Sequence, residues 1–276
     1  MTKLETVELR SRDARVVLAP ERGGMVTRFE VAKASVLYLD DATLVDQTKN
    51  VRGGNPILFP SPGPLTDKKF TWHGKSGALE QHGFARNRPW RVVSSRGGEA
   101  VLELTSDDVT RSRFPWDFRV TFRHVLDGAR LRIEQRFENK SADPMPFATG
   151  FHPYFHVADA DKARTKIPTR ATRGWDNVAK KEVTIAAPID LTQKEVDLHL
   201  YDHNANEACI ERADGHRVVV RGSREYERWV VWTQAGKDFV CLEPWTAPAD
   251  ALNRDADLIV LGRDEARELF VEIELL

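Results

Sequence analysis

The chain has 276 residues, 41% of them hydrophobic and 30% charged, and its net charge is -1. This is the material of a globular protein with a sizeable core. It excludes the global positive field that draws a chain to nucleic acid or to an anionic membrane, and no stretch approaches the ~18 apolar residues that a membrane-crossing helix requires.

In chain order, the first distinctive stretch is Gly53–Pro64, rich in Pro and Gly. It also holds Ile57, Leu58 and Phe59, which a flexible linker would expose, so it reads as a packed loop. Strands follow with period two. Trp90–Ser94 and Val101–Leu104 are joined by Gly97-Gly98. Val120 and Phe122 alternate with Arg119, Thr121 and Arg123. Leu131, Ile133, Gln135 and Phe137 alternate with Arg132, Glu134, Arg136 and Glu138, after a turn at Asp127-Gly128. Ala208–Glu211 and Arg217–Val220 flank Asp214-Gly215, a dipeptide that suits a tight hairpin. Further strands are expected at Arg228–Thr233, Asp238–Leu242 and Leu269–Leu275, a turn at 253–257, and a single helical turn at Asp264–Arg267. Many strands with short turns imply a large antiparallel β-sandwich, all-β, with residues 1–276 as one domain.

Two segments hold titratable groups among aromatic rings and prolines. Thr149-Gly150-Phe151-His152-Pro153-Tyr154-Phe155-His156 carries His152, aimed by the extended geometry that Pro153 imposes on it. Phe151, Tyr154 and Phe155 are expected to lower the local polarity and offer a surface for a sugar ring. Cys241-Leu242-Glu243-Pro244-Trp245-Thr246 places Glu243 at the end of an apolar strand, where partial desolvation raises a carboxyl pKa and makes it a better base. Either residue has a plain alternative, a packed histidine or a glutamate paired with an arginine. Arg52 beside Gly53-Gly54, and His82 and Arg86 around Gly83, set cations where backbone and ligand can approach closely. They too have an alternative as members of surface ion pairs. The spacings His152/His156 and His199/His203 suit a metal only on a helix, which Pro153 and the strand-like 198–201 oppose, so no metal is expected.

The order Arg52-Gly53-Gly54, Gln81-His82-Gly83-Phe84-Ala85-Arg86, Gly150-Phe151-His152-Pro153-Tyr154-Phe155 and Cys241-Leu242-Glu243-Pro244-Trp245 resembles the aldose 1-epimerase (mutarotase) family, and within it the glucose-6-phosphate 1-epimerase group. The resemblance implies a galactose mutarotase-like β-sandwich. It implies Glu243 as general base and His152 as general acid, on opposite flanks of a single pyranose ring. Arg52, His82, Arg86 and Trp245 would bind the substrate. An aspartate holding sugar hydroxyls would be Asp197, with Asp202 as the other candidate. The front half looks like the hexose-phosphate branch, whereas 243–253 looks like relatives assigned to neutral aldoses, so both substrates stay open. The implied reaction interconverts anomers of a small-molecule sugar or sugar phosphate without a cofactor. The competing readings are a non-catalytic carbohydrate-binding module and a glycosidase, which would need a second carboxylate facing one bond. The first residues, Met1-Thr2-Lys3-Leu4-Glu5, lack the apolar centre of a signal peptide, and there are two cysteines, Cys209 and Cys241. A cytoplasmic protein with free thiols is therefore expected, as a monomer or weak homodimer without nucleic-acid or membrane partners.

Overall fold

The computed structural model describes residues 4–276. It is all-β, built on two large antiparallel sheets. A seven-stranded sheet runs in the order Glu207–Glu211, Arg217–Gly222, Ala266–Leu275, Arg130–Asn139, Phe118–Asp127, Glu99–Thr105 and Arg91–Arg96. An eight-stranded sheet runs Lys181–Thr184, Arg173–Asp176, Glu195–Leu200, Arg228–Gln234, Phe239–Trp245, Gly150–Phe151 and Ile57–Leu58, with Tyr154–His156 also paired to Phe239–Trp245. A four-stranded sheet over Val7–Ser35 packs near Glu99–Thr105 and Phe118–Asp127. Among the described residues no helix is long and apolar enough to cross a membrane.

Alternation decides what each face does. In Phe118–Asp127 the residues Phe118, Val120, Phe122, His124 and Leu126 are buried, while those between are exposed or half-buried. This sheet has one wet face, as the period-two pattern predicts. The expected strand pairs and the turns at Gly97-Gly98, Asp127-Gly128 and Asp214-Gly215 are all present. The helical turn expected at Asp264–Arg267 is absent. Asp264 takes a left-handed φ of 57°, the Glu265 amide bonds back to the Gly262 carbonyl, and Ala266 already starts a strand. A short helical turn lies instead at Ala251–Arg254, overlapping the turn expected at 253–257. Both cysteines are buried and unpaired, one in each large sheet.

The 53–64 stretch is packed, and Phe59 is its anchor. Its ring, fully buried, touches Phe84, Phe114, Phe118, Phe137 and Phe147 at centroid separations of 5.3–6.3 Å. This aromatic cluster is where a loop that carries cavity residues is fastened to the seven-stranded sheet. Phe59→Ala is expected to lower unfolding free energy by about 3–5 kcal/mol, the usual range for emptying a packed phenyl site. Urea titration followed by tryptophan fluorescence measures it; a loss under about 1 kcal/mol would show that the loop is held by other contacts.

Candidate active site

Strand Phe239–Trp245 is buried at every position, and its neighbour Arg228–Gln234 at all but its ends. Both faces of these strands are therefore covered. One face, with Val240, Leu242, Trp229, Val231, Val196 and Leu200, belongs to the main core. The other carries Cys241, Glu243, Trp245, Val230, Trp232, Asp197 and His199, and most of these border a cavity of about 900 Å³. Cross-strand register arranges them in rows. Tyr154, Cys241, Trp232 and Asp197 form one; Glu243, Val230, His199 and Trp175 form the next.

The same register brings His152 to Glu243. Gly150 pairs with Trp245 and Tyr154 with Cys241, so the residue midway, His152, stands opposite Glu243. Its backbone amide donates to the Pro56 carbonyl at 3.0 Å, which ties it to the 53–64 stretch. Gly150 is required here, because a Cβ would lie 2.8 Å from the Trp245 ring. His152 Nε2 lies 3.3 Å from Glu243 Oε1. The two groups are side by side rather than on either side of a ring. They are suited to two oxygens bonded to a single carbon, the hydroxyl and ring oxygen of an anomeric centre.

Burial sets their protonation. Glu243 is 2% exposed and His152 8%. Burial, reinforced by the charge of Asp197, pushes the Glu243 carboxyl well above the usual carboxylate range. Burial, with His82 and the cations Arg86 and Arg52, pushes His152 well below its ordinary value. The favoured form of the pair is thus a neutral carboxylic acid beside a neutral imidazole, with one mobile proton between them. The Trp245 indole N–H donates to Glu243 Oε2 at 3.1 Å, which fixes the carboxyl plane and leaves Oε1 for chemistry. Trp245, expected as a substrate contact, lines the cavity and also orients Glu243.

His82 is buried and holds a left-handed φ of 71°. Gly83 follows with the same φ, and a Cβ there would overlap the Phe59 carbonyl oxygen. This turn directs His82 Nδ1–H to the Pro62 carbonyl. Burial, then the charge of Arg86, pushes His82 down to about 3, so its ring is neutral and Nε2 is an acceptor. Its ring meets His152 edge-on at 5.4 Å. Asp197 accepts from Asn177 Nδ2 at 2.7 Å and lies 3.5 Å from His199 Nε2. Burial alone would raise its carboxyl; the bonds from His199 and Asn177 outweigh this and hold it below the usual range. Asp202 lies outside the cavity lining, where it binds the Thr172 hydroxyl and the amides of Thr172 and Arg173.

Arg52 and Arg86 both line the cavity, and among the described residues neither has a carboxylate within 4.0 Å, which excludes the ion-pair alternative. Arg52 lies over the Trp232 ring at 5.6 Å. Arg86 donates to the Gln81 carbonyl, while its buried Nε has no partner. The expected apolar wall around His152 is only partly formed by its chain neighbours. Phe151 and Phe155 point into the main core, and only Tyr154 stacks on the imidazole, at 4.8 Å. Trp232, absent from the sequence reading, meets both the imidazole and Tyr154 edge-on, at 5.6 and 5.8 Å. His199, Trp175, Tyr201 and Arg228 were also missed as lining residues. The histidine spacings do not build metal centres: His199 faces Asp197, and His203 bonds Thr169 and the Glu207 carbonyl. The one close group of three His, Cys, Asp or Glu donors among the described residues is His152, Cys241 and Glu243.

The all-β sandwich places the chain among galactose mutarotase-like folds. Residues 5–274 match the family model described as Aldose 1-epimerase, and the chain belongs to that family. It is similar over 99% of its length to the Slr1438 protein of Synechocystis sp. PCC 6803, at 35% identity and a TM-score of 0.95, covering 96% of that chain. A galactose mutarotase-like protein from Lactobacillus casei shares the fold at 18% identity and a TM-score of 0.82, over 99% of this chain and all of that one. A protein of Cenchrus ciliaris, provisionally named a glucose-6-phosphate 1-epimerase, is 25% identical over 251 residues, 85% of this chain and 69% of the relative.

Proposed function

We propose that the protein is an aldose 1-epimerase acting on an aldohexose, with a hexose 6-phosphate as the favoured form. The observation that carries this reading is the 3.3 Å contact between Glu243 and His152 in the wall of a polar cavity. The pair's proton first passes from Glu243 to His152; the Glu243 carboxylate then takes the proton of the anomeric hydroxyl while the His152 imidazolium gives one to the ring oxygen. The C1–O5 bond breaks, the aldehyde end rotates, and closure on the other face returns both protons. No atom is gained or lost, and the pair holds one proton throughout.

During the open-chain stage the proton is on Glu243 and the imidazole is neutral. Burial favours that same distribution. The environment therefore lowers the free energy of the intermediate that the closed sugar must reach. Each positioned proton transfer supplies roughly 10²–10⁴-fold. Orientation supplies more, through Asp197 as an anionic acceptor, His82 Nε2 as a neutral one, and Trp245 holding Glu243 in place. The same cavity face runs along the strands and belongs to one functional unit spanning the chain.

The two guanidiniums without a carboxylate partner support a phosphorylated substrate. Arg52 and Arg86 give a dianion two planar donors beside the reacting pair. The provisional name of the Cenchrus ciliaris relative agrees with that substrate.

Glu243→Gln and His152→Ala are each expected to lower kcat by about 10²–10⁴-fold while the circular dichroism stays native. Polarimetry of fresh α-anomer measures it, and wild-type kcat in either variant would overturn the assignment. Arg86→Ala is expected to raise KM for glucose 6-phosphate about tenfold or more, the effect of losing a charge-assisted bond of roughly 1.5–3 kcal/mol. KM for glucose should change much less. Equal changes for both sugars would assign the site to a neutral aldose.

A further inference from the structure

Glu243 and Cys241 are two residues apart on the strand face that borders the cavity, and register sets His152 opposite Glu243. One ligand atom from each of His152, Cys241 and Glu243 lies within 4.8 Å of the other two. Sugar chemistry gives Cys241 no task; it is a free thiol, fully buried beneath the reacting pair. His152 Nδ1 is buried, with no hydrogen-bond partner among the described residues. A carboxylate, an imidazole and a thiol converge here with lone pairs to spare.

We propose that His152, Cys241 and Glu243 form a binding site for a thiophilic divalent cation, Zn²⁺ or Cd²⁺, and that its occupation switches the acid–base pair off. Three protein ligands of mixed sulfur, nitrogen and oxygen type, with a fourth position open to a cavity, are a donor set that zinc accepts. Zinc bonds of about 2.0–2.3 Å put tetrahedral ligands about 3.3–3.8 Å apart. His152 Nε2 and Glu243 Oε1 already stand at 3.3 Å, and all three donors lie within 4.8 Å of one another, so binding requires side-chain closure of at most about an ångström. On binding, the thiol and the carboxyl each release a proton to solvent, leaving a thiolate and a carboxylate. One thiolate and one carboxylate then balance the two positive charges, which suits a buried site. Hard cations such as Mg²⁺ favour all-oxygen sites and are not expected here.

The cation occupies the lone pairs that proton transfer uses. Inhibition rests on the epimerase reading, whereas the binding itself does not, and the test keeps them apart. Reduced, chelator-treated protein is titrated with ZnCl₂ by calorimetry and with CdCl₂ by the ultraviolet thiolate-to-metal absorption. Wild type, Cys241→Ser, Cys241→Ala and Cys209→Ser are compared, with MgCl₂ as control. The expected result is about one Zn²⁺ per chain. A Cd²⁺ absorption should survive in Cys209→Ser and vanish in both Cys241 variants. Zn²⁺ should block anomerisation reversibly to EDTA, and the inhibition constant, read against each variant's own metal-free rate, should rise roughly tenfold or more in the Cys241 variants. Absence of stoichiometric binding, or a Cd²⁺ band lost in Cys209→Ser instead, would overturn the proposal. So would inhibition unchanged by removing Cys241. Binding with the expected band in a protein that never accelerates anomer exchange would leave the metal site standing and sink the epimerase reading.

Discussion

The candidate site depends on one strand being buried on both faces. In Phe239–Trp245, even-numbered side chains fill the sandwich core, and Cys241, Glu243 and Trp245 face the cavity side. A slip of one residue would reverse this, moving Glu243 into the core and Leu242 into the cavity. The packing of Val240 and Leu242 therefore fixes the address of Glu243. The same ladder fixes His152, because Gly150 and Tyr154 are both paired to that strand. Core packing and site geometry are two consequences of one register.

Holding a carboxyl and an imidazole in so dry a place is costly if either is charged. Sharing one proton avoids most of that cost, because the pair can rest as two neutral groups. The nearby charges stay in check too. Asp197 is held as an anion by Asn177 and His199, and His82 stays neutral, its Nδ1–H satisfied by Pro62. Arg52 and Arg86 are left as cations without a carboxylate, the complement of an incoming anion. Their stability in that arrangement is helped by the Trp232 face under Arg52 and by the Gln81 carbonyl at Arg86.

Much of this was legible in the sequence where the signal is local. Alternation in Val120–Phe122 and Leu131–Phe137 about Asp127-Gly128, and the runs on either side of Gly97-Gly98, gave hairpins that the structure contains. The motifs around His152, Glu243, His82 and Arg86 led to one cavity. Adjacency of His152 and Glu243 was not legible from the residues themselves, since it follows from pairing across ninety-one positions. Strands such as Ala14–Ala19, buried at nearly every position, lack the alternation that marks a strand. His199 did carry a signal. Asp197 and His199 alternate with Leu198 and Leu200, a strand pattern that puts both side chains on one face, whereas the His199/His203 spacing has meaning only on a helix. The helical turn expected at Asp264–Arg267 gave way to a tight turn at the left-handed Asp264, which carries the chain from Ile259–Leu261, paired to Met145–Phe147, into Ala266–Leu275 of the seven-stranded sheet.

The central claim is that this cavity interconverts sugar anomers through the Glu243–His152 pair. Exchange NMR on equilibrated glucose 6-phosphate labelled at C1 measures that directly, with glucose as the second substrate. The account predicts α-to-β cross peaks that grow with the amount of protein, far faster than in buffer alone. Saturable sugar binding with exchange no faster than in buffer would contradict it and leave a carbohydrate-binding module.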